Sequence, residues 1–368
     1  MDAQQSGAGR PALKTVGAWG LSFVGAALFL WLASTKLDLW PDEFTLTSPA
    51  MLACACLVHV PYAWVRALRL RYVFDPLVSK AAGAPTRMSR RVLYGSGFVS
   101  FFVLLALPLK LGELSRPVLL ARGRQPGLGL PEAVGGVALE RLVDGLIIVG
   151  MLFGGLATSE ITLQSDLADV RAVGLGMLGV FAVGLLGLLV AARSPARAVA
   201  TAGAVAGVFG ARVRTLAEGV VGRVAGTMQG VLALDHAVPF LAWSMAYWAI
   251  TAGQLWLVLH ACGVDLGPAA AATIVAVVGL SIQLPGGPAQ VGTFQMGAGM
   301  GLGLYLDDAA LATTGSTFSA VMYILQFITA AVVALPGLWL LARANMASKG
   351  DLGPSTPAAP PADGAKSS

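Results

Sequence analysis

Leu284, Pro285, Gly286, Gly287, Pro288, Ala289, Gln290, Val291, Gly292, Thr293, Phe294 and Gln295 interrupt an otherwise apolar stretch that runs from 268 to 305. Two prolines and three glycines in eleven residues from Leu284 exclude a continuous helix there. Proline removes an amide donor, and glycine both loses the most entropy on ordering and lets backbone approach closely. Polar Gln283, Gln290, Thr293 and Gln295 stand ready to satisfy the freed backbone groups or to line a path. Irregular backbone set in apolar sequence survives in lipid only where protein or a water-filled cavity meets its hydrogen bonds.

The rest of the chain supplies that lipid setting. Of 368 residues, 56% are hydrophobic and 12% charged, against roughly 25% charged in an average soluble domain. A span needs about 20 mostly apolar residues, and such runs occur near 16–34, 49–65, 133–157, 172–192, 238–260 and 311–342. The run at 16–34 reads as a retained helix rather than a signal peptide, because no clear cleavage site follows it. A second interrupted stretch lies near 92–109.

Short-loop charge orients these segments, since Lys and Arg collect on the cytoplasmic side. Between Arg66 and Arg91 stand Arg69, Arg71, Lys80, Arg87 and Arg90 against Asp75 alone, which reads as cytoplasmic. Asp38, Asp42 and Glu43, then Glu160, Asp166 and Asp169, then Asp307 and Asp308 mark external loops. The 92–109 stretch is basic on both flanks and so enters from and returns to the cytoplasm. The 268–305 stretch enters and leaves outside. The expected fold is therefore an all-α integral membrane protein with about eight membrane-embedded segments, including two re-entrant helical hairpins in an inverted-repeat-like arrangement.

Residues 1–15 read as a cytoplasmic segment, 16–342 as the membrane domain and 343–368 as a Pro/Ala/Gly/Ser-rich disordered tail. Within the domain, 193–236 carries Arg197, Arg212, Arg214 and Arg223 among Ala, Gly and Val, the pattern of an amphipathic helix on the cytoplasmic leaflet.

Two constellations can carry chemistry. Glu140, Arg141 and Asp144 lie inside an apolar run, where charges are costly and pair inward; the spacing of Arg141 and Asp144 allows an in-helix pair. Pro108, Lys110, Gly112, Glu113 and Arg116 follow the first interrupted stretch. A broken helix with cations beside it suits an anionic group: Arg116 fits a phosphate bidentately, Lys110 adds a point charge, and Glu113 balances Arg116 in the empty state. Cys54, Cys56 and Cys262 and the histidines His59, His236 and His260 match no metal or disulfide spacing. No phosphate-binding loop of an ATPase and no hydrolase elbow is present, and no cofactor is expected. Ser96 between Gly95 and Gly97 reads as a helix-packing patch.

Taken in order, Pro108 with Gly112, Glu113 and Arg116, then Glu140, Arg141 and Asp144, then Pro285, Pro288, Val291, Gly292, Thr293 and Phe294 resemble the lysylphosphatidylglycerol synthase transmembrane-region family of flippase-like proteins. The resemblance covers 16–342. It implies a multi-pass protein, moving or helping to move an anionic lipid or a polyprenyl-phosphate-linked sugar between leaflets. Lys110, Glu113, Arg116, Glu140, Arg141, Asp144, Pro285, Gly286, Gly287, Gly292, Thr293 and Gln295 would form its substrate site.

The family commonly carries Glu where this chain has Gln295, and its full-length synthases append a soluble aminoacyl-transfer domain where a short tail follows here. No enzymatic activity is therefore expected. The partners expected are the lipid and the membrane, with a second copy or a lipid-modifying enzyme as further candidates and no nucleic acid. The Ala, Gly and Arg bias suits the cytoplasmic (inner) membrane of a GC-rich bacterium. Two other classes compete: a polyprenyl-phosphate-dependent glycosyltransferase using Asp38, Asp42 or Glu43 as base, and a scaffold of a lipid-modifying complex docking through 193–236.

Overall fold

The computed structural model describes residues 9–41, 44, 46–107, 111–162, 167–231, 233–284 and 287–350, and among these the chain is all-helical, with no strand. Each apolar run expected from the sequence falls on a helix. These are α1 (Gly9–Ser34), α2 (Pro49–Leu68), α6 (Leu130–Thr158), α7 (Leu167–Arg193), α10 (Leu234–Ala261) and α14 (Ser316–Gly350). Three helical stretches, Pro49–Ala82, Leu167–Arg193 and Asp308–Asn345, are long and apolar enough to cross a membrane. Shorter apolar helices cover Ser22–Ser34 and Pro268–Ser281.

Between these, α3 (Arg71–Ala82) extends α2; the 92–109 stretch is a single helix as far as Ala106, paired with a short helix that lies beyond the stretch, and 268–305 holds both arms of a helical hairpin. The first hairpin consists of α4 (Arg90–Ala106), a 3-10 turn (Leu111–Leu114) and α5 (Ser115–Arg122). The second consists of α11 (Pro268–Ser281), a 3-10 turn (Pro288–Gln290) and α12 (Thr293–Leu302). The expected amphipathic segment is two helices, α8 (Pro195–Gly207) and α9 (Ala211–Val231), parted at Gly210, whose φ of +111° no ordinary helix contains. A one-turn α13 (Asp308–Ala310) passes through a π-helical turn into α14.

Helix α1 begins at Gly9, inside the segment expected to precede the domain, and α14 continues past Arg343 to Gly350. No proline occurs between Pro336 and Pro354 to stop it. The rest of the tail, with Pro108, Lys110, Asp42, Glu43, Asp166, Pro285 and Gly286, lies outside the described residues.

Small residues set the packing. A Cβ on Gly95 would sit 2.8 Å from Leu341 Cγ, and one on Gly337 would sit 2.8 Å from Phe98 Cβ, so α4 and α14 meet almost backbone to backbone. Gly145 accepts the Phe181 ring of α7, and Gly155 lies against Thr273 of α11. In a bilayer, where apolar surface gives no drive for helices to associate, such close approach supplies dispersion contacts instead. The outer faces stay apolar: Val180, Val183, Leu186 and Val190 on α7 and Ile328, Val332, Leu335 and Trp339 on α14 are exposed. Surfaces of this extent belong against lipid. One further apolar cavity of about 700 Å³ opens between α6, α7, α9 and α10, lined by Leu139, Val143, Leu146 and Gly150 of α6 and by Leu185, Met228 and Phe240.

Candidate functional site: a buried charge cluster and its cavity

Helices α2 and α10 run antiparallel, and each carries a polar stripe at helical spacing. On α2 the stripe is His59, Tyr62, Arg66 and Arg69; on α10 it is Ser244, Tyr247, Thr251 and Gln254. Steps of three and four residues keep each set on one face. The stripes meet rung by rung. Gln254 lies 3.3 Å from His59 Nδ1, the Tyr62 and Tyr247 hydroxyls are 3.1 Å apart, and Arg69 Nη1 donates to Ser244 Oγ at 3.3 Å.

At the lower end of this ladder Arg69, 1% exposed, bridges the α2–α3 elbow to α6. Its Nη2 donates to Glu140 Oε1 at 2.6 Å and to Asp144 Oδ2 at 2.7 Å, and Nη1 donates to Asp144 Oδ1. Its guanidinium also stacks 4.4 Å over the Tyr247 ring. Trp248 Nε1 donates to Asp144 Oδ1 at 3.0 Å. Arg116, carried in by the first hairpin, donates from Nη1 to both Glu140 oxygens at 2.9 Å and from Nη2 to the Arg66 carbonyl at 3.0 Å. Arg66 in turn donates to the Gly97 carbonyl at 3.0 Å and stacks over Phe101. Gly97 is required here, because a Cβ would lie 2.7 Å from Ala67 Cβ.

These pairings revise two expectations. Asp144 is held by Arg69 and Trp248, not by Arg141 on its own helix, and the carboxylate bonded to Arg116 is Glu140. Helix α6 therefore contributes acceptors that other elements come to satisfy. Arg141 points elsewhere: it lines a cavity of about 130 Å³ together with Arg66, Glu113 and Asp144, and its Nε has no hydrogen-bond partner. The other walls are His59, Tyr62, Phe101, Tyr247, Gln254 and, from the second hairpin and α14, Gln283, Gln290, Phe294 and Gln326.

The two helix breaks meet beside this cavity. Leu104, Leu107 and Glu113 of the first and Gly287, Gln290 and Thr293 of the second line one small void. The second break is fixed by its own side chains. Gln295 Oε1 accepts the Gly292 amide at 2.8 Å, Thr293 Oγ1 donates to the Gln290 carbonyl at 3.1 Å, and Gly292 adopts φ +86°. Gly287 and Gly292 press on α1, where a Cβ would meet Ala26 Cβ at 2.5 Å and the Ala26 carbonyl at 2.7 Å. Gln295 is thus a cap, a task that needs an acceptor oxygen and no charge.

Of the expected site residues, Glu113, Glu140, Arg141 and Asp144 gather with Arg116 around the cluster and cavity, and Gly287, Gly292, Thr293 and Gln295 shape the adjoining break. Lys110, Pro285 and Gly286 lie outside the described residues. Arg66 and Arg69 were missed as site residues because they looked like the start of a basic loop. The signal that would have found them is their phase: they continue the His59–Tyr62 face of an apolar helix. Among the described residues no group of His, Cys, Asp and Glu is placed to hold a metal ion.

No curated protein and no solved structure is similar enough to the chain to count as a match. A family model does match, over residues 17–345, and its span includes the cluster, both hairpins and most of α14. The chain is an integral membrane protein and belongs to the family described as the lysylphosphatidylglycerol synthase transmembrane region.

Proposed function

We propose that the protein is a flippase-like transporter of the bacterial inner membrane that moves an anionic phospholipid or a polyprenyl-phosphate-linked lipid between leaflets. One observation carries this reading. Among the described residues, the guanidiniums of Arg66, Arg69, Arg116 and Arg141 gather with the carboxylates of Glu113, Glu140 and Asp144, four positive charges to three negative, beside a cavity of about 130 Å³. Buried charge without compensation is costly, and one lipid phosphate supplies the missing negative charge. That volume holds on the order of ten water-sized sites, enough for a headgroup.

Arg69 and Arg116 are taken up by Glu140 and Asp144, so phosphate binding falls to Arg141 and Arg66, with Lys110 close in sequence to the same break. In this reading the two hairpins enter from opposite faces, and their unwound turns border the path. Movement of the hairpins against α6 and α10 would open the cavity to one leaflet and then the other. Of the three acids that the glycosyltransferase reading names, Asp38 is absent from the cavity lining and its Oδ1 accepts from the Trp40 amide, while Asp42 and Glu43 lie outside the described residues.

The test is scrambling of fluorescent anionic lipid in proteoliposomes holding the purified chain. Wild type should transport, and Arg141→Ala should remain inserted and lose transport. Absence of transport for every anionic lipid, or full activity in Arg141→Ala, would overturn the proposal.

A further inference from the structure

Helices α8 and α9 link the end of α7 to the start of α10. Gly203 faces Glu218 and Val199 faces Gly222, the register of an antiparallel pair. Neither arm can cross a bilayer. Helix α8 has 13 residues, about 20 Å of helix against a hydrocarbon core of about 30 Å, and α9 spreads Arg212, Arg214, Glu218 and Arg223 along its length. The hairpin springs from Arg193, the last residue of α7, which is long and apolar enough to cross a membrane. It therefore begins at the membrane surface.

One apolar stripe runs along α9 in steps of three and four residues: Val213, Leu216, Val220, Val224 and Met228. Its two ends meet different surroundings. Val224 packs on Gly135 of α6, and Met228 is buried in the wall of the large apolar cavity. Val213, Leu216 and Val220 are exposed, and beyond Gly210 the apolar surface continues through Phe209 and Val208, which are 76% and 83% exposed. The outward face of α8 reads Arg197, Thr201, Ala204 and Val208, all exposed. Apolar surface that continues a packed interface and lies this open belongs against something other than water.

The charges say what that is. The hairpin carries Arg197, Arg212, Arg214 and Arg223 against one acid, Glu218. Glu218 is folded between the arms: it accepts from Arg214 Nε at 2.8 Å, and a Cβ on Gly203 would lie 2.1 Å from its Oε1. Arg223 reaches Glu132 of α6 at 3.6 Å and is still half-exposed, while Arg197 and Arg212 are exposed. Around α9, Arg212 and Arg223 stand about 100° to one side of the stripe and Arg214 about 100° to the other. Cationic side chains on both borders of an apolar stripe lay their stems along it and set their heads at the level of lipid phosphates. A protein partner would need an apolar groove with an acidic rim; an anionic leaflet offers both layers and lies next to the end of α7.

We infer that the α8–α9 hairpin is an anchor in an anionic leaflet. Val208, Phe209, Val213, Leu216 and Val220 lie among the acyl chains, and Arg197, Arg212 and Arg223 meet the lipid phosphates. The buried end of the same stripe fastens this anchor to α6.

The experiment places one cysteine at Val208, in full-length protein lacking Cys54, Cys56 and Cys262, and labels it with an environment-sensitive fluorophore. The protein is held in nanodiscs of phosphatidylcholine alone or mixed with phosphatidylglycerol. Doxyl groups on the lipid chains and acrylamide in the water serve as quenchers. With phosphatidylglycerol present, the doxyl lipids should quench the probe and acrylamide should not, whereas a probe at Thr215, on the polar face, should show the reverse. Arg197→Gln with Arg212→Gln should lower the embedding equilibrium constant about fivefold for each arginine removed.

Quenching at position 208 by acrylamide in both lipid mixtures would put the tip in water. Quenching by neither agent would put it against protein, a second copy or a docking partner. Either result overturns the anchor. Doxyl quenching that is equal in both mixtures and unchanged in the double variant would overturn the part given to anionic lipid. None of these readouts involves transport, so the anchor stands or falls apart from the flippase reading.

Discussion

Arg69 holds both carboxylate oxygens of Asp144, one guanidinium nitrogen on each, while the Trp248 indole donates to one of the same oxygens. The pair ties the α2–α3 elbow to the middle of α6 across a side-chain environment nearly free of solvent. It joins three elements far apart in sequence, and the ladder between α2 and α10 ends on it.

Replacing Arg69 with Met should destabilise the protein by about 3–5 kcal/mol, because Asp144 and part of Glu140 become buried charges without a partner. The double variant Arg69→Met with Asp144→Asn should recover a large part of that loss. Thermal unfolding in detergent, followed by fluorescence of the buried Trp248, would measure both. Equal stability of the single variant and wild type would show that the pair does not hold the elbow.

Arg116→Ala and Arg141→Ala should part company. The first strands Glu140 with Arg69 as its one remaining guanidinium and should lower the melting temperature as well as transport. The second removes a cavity-lining cation whose Nε bonds to nothing, and should reduce lipid binding with little effect on melting. Parallel scrambling and melting curves separate the two; identical behaviour would refute the division between holding and binding arginines.

Gly112 and Gly150 make a matched pair for the hairpin. A Cβ on Gly112 would meet Leu104 Cα and the Val103 carbonyl at 2.5 Å, whereas nothing lies within 4 Å of one on Gly150. Gly112→Val should therefore cost at least the roughly 1–3 kcal/mol of overpacking and impair transport. Gly150→Ala should be neutral or gain up to about 1 kcal/mol of helix propensity. The comparison is made by yield of folded protein and melting.

Thiol labelling tests the membrane disposition. Cys262 is buried, and Cys54 and Cys56 project from α2 onto its apolar outer surface, so charged maleimides should leave all three unmodified in intact membranes. In a cysteine-free background, a cysteine at Ala84 should label only from the cytoplasmic side and one at Glu160 only from the other. Labelling of both positions from the same side would overturn the loop-charge topology.

Much of the helical frame was legible in the sequence, since apolar runs long enough to span are set by backbone chemistry alone. Pro-rich and Gly-rich breaks marked both hairpins, and Gly95 and Gly97 announced close packing. What charge counting lost was phase. Arg66 and Arg69 added to a basic tally and so looked like loop, yet their spacing from His59 and Tyr62 placed them on an inward face. The partner choice of Glu140 and Asp144 was not legible either, because three-residue spacing on one helix permits a pair without requiring it. Only the approach of α2, α5 and α10 decides which guanidinium arrives first. The split of the 193–236 segment followed from one glycine, whose positive φ is a tertiary outcome.

Helix α6 serves two masters on neighbouring faces. Leu139, Val143, Leu146 and Gly150 border the large apolar cavity, while Glu140 and Asp144, each one residue further on, hold the arginines. Successive residues stand about 100° apart around a helix, so a twist of a single residue would swing two carboxylates into grease and pull Arg69 and Arg116 from their anchors. Torsion of α6 is thus forbidden, and the helix acts as a keel. Any rearrangement of the neighbouring helices that keeps these ion pairs must leave the rotation of α6 about its own axis unchanged.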